Sequence, residues 1–330
     1  MKTSHSLLWV CASVACALLV GCSKSDTTPP TGVATVTPEG KMEMQFKWIV
    51  GKKYVVRMDV SSTSEIALPN QPQPMKQDTT MSQDYTISVL KELPDGGREL
   101  VLEFTGAGLE LKTGDRTLIS FDSTQDPSLD GGNPVAPMLR RTIGSRLNYT
   151  TDANGAVVSL KGFQELTNRV MSGIQPEIQA SFGSMYNEGY LKQLCDAARM
   201  APDRGVKPGD TWYRNIREDM GPLGTLAANM KMKFEGWEKH GDRKCARIKS
   251  TGEMTSTPSD PTRPAAAMAF QIDKGDATGT GWFDPELGMV VESISDQNLT
   301  MRITTQGQTL TSQINQKINF KLLDVVAVTD

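Results

Sequence analysis

From residue 41 onward, apolar and polar residues alternate in many short runs, and no other feature constrains the fold as strongly. Met42, Met44, Phe46 and Trp48 fall on one face of an extended chain, as do Tyr54, Val56, Met58 and Val60. The same holds for Tyr85, Ile87 and Val89, for Leu100, Leu102 and Phe104, for Met230, Met232 and Phe234, and for Leu299, Met301 and Ile303. Near the C-terminus, Ile318, Phe320 and Leu322 alternate with Lys317, Asn319 and Lys321. A two-residue period marks strands with one dry and one wet face. That pattern belongs to antiparallel sheets, because buried parallel strands read as continuous apolar runs. The expected class is mainly β (α+β).

Turn chemistry agrees with this reading. Pro94-Asp95-Gly96-Gly97, Thr151-Asp152-Ala153-Asn154-Gly155, His240-Gly241-Asp242 and Asp284-Pro285-Glu286-Leu287-Gly288 each lie between two alternating runs and predict hairpins. Between Phe163 and Met200 the apolar spacing changes to three and four: Phe163, Leu166 and Val170, then Ile174, Ile178 and Phe182 with Met185, then Leu191, Leu194 and Ala198. This is helical spacing, broken into two or three short helices at Pro176 and at Gly183 or Gly189.

The two flanks echo each other. Gly51-Lys52-Lys53-Tyr54 resembles Gly209-Asp210-Thr211-Trp212, Gly97-Arg98 resembles Asp242-Arg243, and the Asp152–Val158 turn resembles Asp284–Val291. The order is the same in both copies and the spacing shrinks steadily, as it would if the second copy had shorter loops. The expected organisation is two related curved antiparallel β-sheet units, 41–162 and 206–330, linked by a short helical connector at 163–205. The stretches Ser61–Thr80, Asp122–Pro137 and Thr255–Pro264 are rich in loop-forming residues and are expected to be long, disordered loops.

The N-terminus sets the expected address. Lys2 precedes an apolar run from Leu7 to Val20, the length of a secretory signal and short for a membrane span. The run ends in Leu19-Val20-Gly21-Cys22, which resembles the lipobox of bacterial lipoproteins. The resemblance implies a signal peptide at 1–21, removal before Cys22, and acyl chains on the Cys22 thiol and the new amine. Several chains on one residue give stable membrane attachment, each buried methylene contributing about 0.8 kcal/mol. Residues 22–40, rich in Ser, Thr and Pro, read as a flexible tether. Ser23 in place of aspartate resembles the enterobacterial sorting signal for the outer membrane, so the expected location is the cell envelope, lipid-anchored and facing the periplasm. A lipobox followed by glycine–aromatic strand starts and paired Asp-to-Gly turns looks like uncharacterised domain families of bacterial surface lipoproteins. That likeness brings no catalytic residues with it.

Few residues suggest chemistry. Basic and acidic residues number 35 and 38, which excludes the polycationic footprint of a nucleic-acid binder. Removal of residues 1–21 leaves one histidine, His240, and three cysteines, Cys22, Cys195 and Cys245. His240 is expected to be a solvated turn residue, since no G-x-S-x-G nucleophile motif accompanies it. No H-E-x-x-H, C-x-x-C or EF-hand spacing is present, so no metal or cofactor is expected. Asp152, Asn154 and Gly155 start like a calcium loop, but Phe163 stands where the distal glutamate is required. The methionines occupy alternating strand positions and fit core filling better than copper(I) ligation. Gly275–Gly281 lacks the ending of a phosphate loop and reads as a strand entry with close backbone packing. Cys195 and Cys245 either pair, as extracytoplasmic cysteines commonly do, or are buried separately.

The expected function is therefore non-enzymatic binding or scaffolding, with the membrane as partner through Cys22 and an apolar ligand or envelope protein as a further partner. An alternative is a carrier of lipid or another apolar ligand in the curved sheet, which requires a cavity that residues 163–200 leave open. A carboxylate-based hydrolase, the third reading, requires two carboxylates about 5–9.5 Å apart in a cleft.

Overall fold

A computed structural model describes residues 41–68, 71–175, 179, 188–219, 225–257, 268–305 and 308–328. Cys22, the lipobox and the tether lie outside the described residues, as do Pro176, Ile178, Phe182, Gly183 and Met185 of the connector.

Twelve strands form one antiparallel sheet, curved but not closed. In chain order they are β1 (Lys52–Ala67), β2 (Met75–Glu92), β3 (Arg98–Thr113), β4 (Arg116–Asp122), β5 (Arg146–Thr151), β6 (Val157–Lys161), β7 (Thr211–Asp219), β8 (Thr225–His240), β9 (Arg243–Thr257), β10 (Met268–Asp284), β11 (Met289–Thr305) and β12 (Gln308–Ala327). Their spatial order is β6-β5-β3-β2-β1-β12-β11-β10-β9-β8-β7, with β4 also pairing β3. Helices among the described residues include α1 (Ala136–Thr142), α2 (Phe163–Met171) and α3 (Glu188–Cys195), the last followed by a 3-10 turn at Ala197–Met200.

The two stretches expected as separate β units lie side by side in this one sheet. Residues of β1 pair with β12 along the full length of β1, from Lys52 opposite Ala327 to Ala67 opposite Thr311. The first half of the chain meanders from this seam out to β6 at one edge. The second half enters at β7, the opposite edge, and meanders back. Residues 162–210 must therefore cross from one edge of the sheet to the other. That requirement explains why the helical segment falls between the strands. On α2, Leu166 and Val170 are buried, as their spacing predicts. On α3, Leu191 is buried and Gly189 lies inside the first turn, so Gly189 does not end a helix there.

Sequence alternation and burial agree closely. In β1 the residues Tyr54, Val56, Met58, Val60, Ser62, Ser64 and Ile66 all face inward. All four predicted turns close hairpins. Gly96, Gly155, Gly241 and Gly288 adopt positive φ in them, a conformation open to glycine at little steric cost.

One expected loop is mostly strand instead, and another is a loop held in place rather than disordered. Ser61–Thr80 consists mostly of the ends of β1 and β2, because Thr and Ser suit a pleated strand and the Pro-containing stretch is confined to the tip. Asp122–Pro137 is pinned by Arg140 of α1. Its guanidinium grips both Asp130 carboxylate oxygens at 2.9 Å, donates to the carbonyls of Ser123 and Gln125, and lies 5.0 Å from the centre of the Phe121 ring. In Thr255–Pro264, residues 255–257 belong to β9 and the rest lie outside the described residues.

Candidate functional site

Residues 41–48 form a strap rather than a regular strand. Met42, Met44, Phe46 and Trp48 are buried, as their alternation predicts. Their backbone, however, leaves the sheet: Met42 exchanges hydrogen bonds with Val206 at 2.7 and 2.8 Å, and the Lys47 N–H donates to the Gly288 carbonyl at 2.9 Å. The Phe46 ring meets Phe283 edge-on at 5.7 Å, and Trp48 meets Tyr54 at 5.2 Å. Two turns cradle the strap. An added Cβ on Gly155 would lie 2.9 Å from the Phe46 Cβ, and one on Gly288 would lie 2.5 Å from the Lys47 Cβ. Both turns are held in the same way. Asp152 Oδ1 accepts from the N–H groups of Asn154 and Ala156, and Asp284 Oδ1 accepts from those of Glu286 and Leu287. The Asp152 carboxylate is thus engaged as a turn cap.

Strap, connector and sheet border a partly open cavity of about 250 Å³. Its wall includes Met44, Phe46 and Trp48 of the strap, Leu194 and Met200 of the connector, and inward residues of β1, β2 and β7–β12. The described connector residues thus wall the cavity rather than fill it. Seven methionines contribute: Met44, Met58, Met200, Met230, Met232, Met254 and Met289. Unbranched thioethers adapt to varied apolar shapes, which suits a surface that accepts more than one ligand geometry. The volume exceeds the about 150 Å³ apolar cavity that takes up benzene and lies near the lower end of small-molecule sites, about 300–1,000 Å³.

Part of the cavity floor comes from Gly275-Asp276-Ala277-Thr278-Gly279-Thr280-Gly281, packed so closely that a Cβ on Gly279 would lie 2.7 Å from Ser250 Oγ. This segment is the middle of β10 rather than its entry, and every second residue is Gly or Ala. Ala277, Gly279 and Gly281 line the cavity, so the floor of β10 carries almost no side chain. Period-two glycine within a strand was the sequence signal for this site, and a motif search for phosphate loops passes over it.

Polar groups reach the cavity at few points. Trp48 Nε1, Asp196 Oδ1 and Gln297 Oε1 are buried without a hydrogen-bond partner among the described residues. Burial raises the Asp196 pKa above the usual carboxylate range, while the nearby Arg199 guanidinium opposes the shift. Asp196 is the one carboxylate among the described lining residues, so paired-carboxylate hydrolysis lacks its second group there.

The remaining residues singled out in the sequence lie elsewhere. Cys195 on α3 and Cys245 on β9 are free, buried thiols, so the disulfide is not formed. The reason is placement: Cys195 faces Tyr149 and Asp196, whereas Cys245 faces Asp284 and Arg243. Burial raises the Cys195 pKa strongly and pushes that of Cys245 up to about 11, so neither is a ready nucleophile. His240 is half-buried rather than solvated. Its Nε2 lies 2.7 Å from Glu292 Oε2, and its ring stacks on Trp282 at 4.2 Å, with Trp282 Nε1 donating to Glu238. Cys195, Cys245 and His240 do not line the cavity. Among the described residues no group of three or more His, Cys, Asp or Glu side chains could hold a metal ion, and no helix is long and apolar enough to cross a membrane.

Comparison with solved structures gives distant likenesses. Lipovitellin, in a study of its lipid–protein interactions, aligns at 11% identity and a TM-score of 0.44 over 86% of this chain, which spans about a quarter (26%) of the lipovitellin chain. A Parabacteroides distasonis protein provisionally named a lipoprotein aligns at 13% identity and a TM-score of 0.27, covering 85% of this chain and 97% of its own. A DUF1329 family protein from Desulfovibrio piger aligns at 9% identity and a TM-score of 0.15, covering 82% and 85%. No curated protein matches the sequence. One family model does match, across residues 95–290, which is more than half of the chain and takes in β3 to β10, and on that match the protein belongs to DUF6263, a family of unknown function.

Proposed function

We propose that this protein binds a small apolar or amphiphilic molecule between its curved sheet and its strap, without catalysing a reaction on it. The observation that carries the reading is the methionine-rich cavity of about 250 Å³ floored by Ala277, Gly279 and Gly281. Interiors normally pack to about 0.74–0.76 density, so a void of this size, lined by apolar groups, loses contacts that a ligand restores. The volume suits one alkyl chain or a small ring system rather than a multi-chain lipid.

The test is displacement of N-phenyl-1-naphthylamine, a neutral apolar dye whose emission rises on burial. Ala277→Phe and Ala228→Phe each place a ring in the cavity and are expected to weaken dye binding at least tenfold while retaining the fold. Dye affinity unchanged in both variants sinks the reading.

The same reading places the molecule in the bacterial envelope, facing the periplasm from the outer membrane, with acyl chains on Cys22 as its membrane partner. The lipobox Leu19-Val20-Gly21-Cys22 supports it, and 22–40 serves as the tether that feeds into the strap. Cys22→Ser is expected to move the protein from the membrane pellet to the soluble fraction; continued pelleting with envelope lipid would refute the anchor. The matched turn chemistry of Asp152 and Asp284 further supports descent of 41–162 and 206–330 from one duplicated unit.

A further inference from the structure

One rung of the sheet carries an unusual set of buried, neutral polar side chains. Read across the strands, Thr79 of β2 stands opposite Ser62 of β1, Ser62 opposite Gln316 of β12, and Gln316 opposite Gln297 of β11. All four face inward and are at least nine-tenths buried, with exposures of 5, 5, 3 and 3%. Thr79 Oγ1, Ser62 Oγ, both amide atoms of Gln316 and Gln297 Oε1 have no hydrogen-bond partner among the described residues. Buried polar groups are nearly always paired, so five orphaned atoms on consecutive strands demand an explanation.

The rung borders a recess of about 300 Å³, lined by these four residues together with the residues that flank each of them on the same strand. Gln297 also lines the apolar cavity, and the rung continues from Gln297 to Ala277 on the floor of that cavity. Polar recess and apolar cavity thus meet at one residue. Asp78, Asp296 and Lys317 also line the recess, but they alternate onto the face of the sheet opposite the rung, and Asp78 accepts a hydrogen bond from Thr63.

We infer that the rung Thr79–Ser62–Gln316–Gln297 is a head-group subsite for an uncharged, hydroxyl-bearing head on an amphiphile whose tail occupies the apolar cavity. The inference rests on the proposed binding function and specifies its ligand class. Carboxamides offer both donors and acceptors, and hydroxyls on a ligand can meet both. A charged head set against the rung would be desolvated against four neutral side chains, with the charged residues of the recess alternating away from them, which is unfavourable.

The experiment compares four probes with the same ten-carbon tail: decyl β-D-glucoside, 1-decanol, decyltrimethylammonium and decyl sulfate. Each is kept below micelle formation and competes with N-phenyl-1-naphthylamine on the full mature chain. The glucoside is expected to displace the dye at a concentration at least tenfold lower than the other three. The variant Gln316→Leu, at a residue that does not line the apolar cavity, is expected to keep dye binding, gain thermal stability through loss of an unpaired amide, and shrink the preference below threefold. Should that variant fail to fold, the near-isosteric pair Ser62→Ala, Thr79→Val is read instead, with at least a threefold loss of preference expected. Equal displacement by charged and neutral heads, or a preference that survives the substitutions, overturns the inference and leaves the rung merely hydrated. Failure of the dye to bind wild-type protein overturns the underlying binding function instead.

Discussion

Phe46→Ala is expected to destabilise the protein by about 3–5 kcal/mol, the range for truncating a buried aromatic ring. Nothing in its backbone would suggest such an effect, since Phe46 lies outside any regular strand. Its ring, however, is buried against Phe283 at 5.7 Å, and its Cβ rests on the bare backbone of Gly155. Phe283→Ala should cost a similar amount. The double variant should fall short of the sum by about 0.5–1.5 kcal/mol, because the edge-to-face pair is lost only once. Guanidinium unfolding of the four proteins gives these values. Phe46→Ala should also weaken N-phenyl-1-naphthylamine binding, since the same ring walls the cavity. A loss below about 1 kcal/mol would mean that the strap is not packed as described, and the cavity would then be an open trough.

The strap illustrates what was legible in the sequence and what was not. Alternation of Met42, Met44, Phe46 and Trp48 correctly places them inward, because burial follows periodicity whether or not a neighbouring strand completes the ladder. The lack of strand pairing depends on where Val206 and Gly288 arrive, and that is set by residues far away in the chain. For the same reason the hairpins were readable from their Asp and Gly residues, while the β1–β12 seam joining two halves in one sheet was not. Long strands rich in Thr, Ser and Gln, such as the ends of β1 and β2, resemble loops in composition. Only their inward packing reveals them. Arg140 ordered an expected loop through carbonyls that no side-chain pattern announces. As for the site, its methionines were visible and read as core filling. Part of its floor was encoded by glycine and alanine at every second residue from Gly275 to Gly281, and absence of side chains becomes a cavity only once the opposing cover is known.

The seam itself should carry the largest single effect. Ile318 is the inward residue of β12 opposite Val60 of β1 and Ser295 of β11, and it is 1% exposed. Ile318→Pro removes a ladder hydrogen bond inside the sheet, strands the facing carbonyl, and trims the side chain packed with Met58 and Val60. Together these predict a loss of about 4 kcal/mol or more. Val158→Pro, on the edge strand β6 at an exposed position, is the control and should cost far less. Calorimetry distinguishes two ways for the seam to fail. Apart from the small Met58–Val60–Ile318 group at the seam, core residues from both halves, the connector and the strap belong to one contiguous apolar cluster. Neither half can therefore bury its inward face alone, and Ile318→Pro should lower one cooperative transition as a whole. A second transition persisting at the wild-type midpoint would show that one half of the sheet holds its structure without the other, and the single shared core would have to be abandoned.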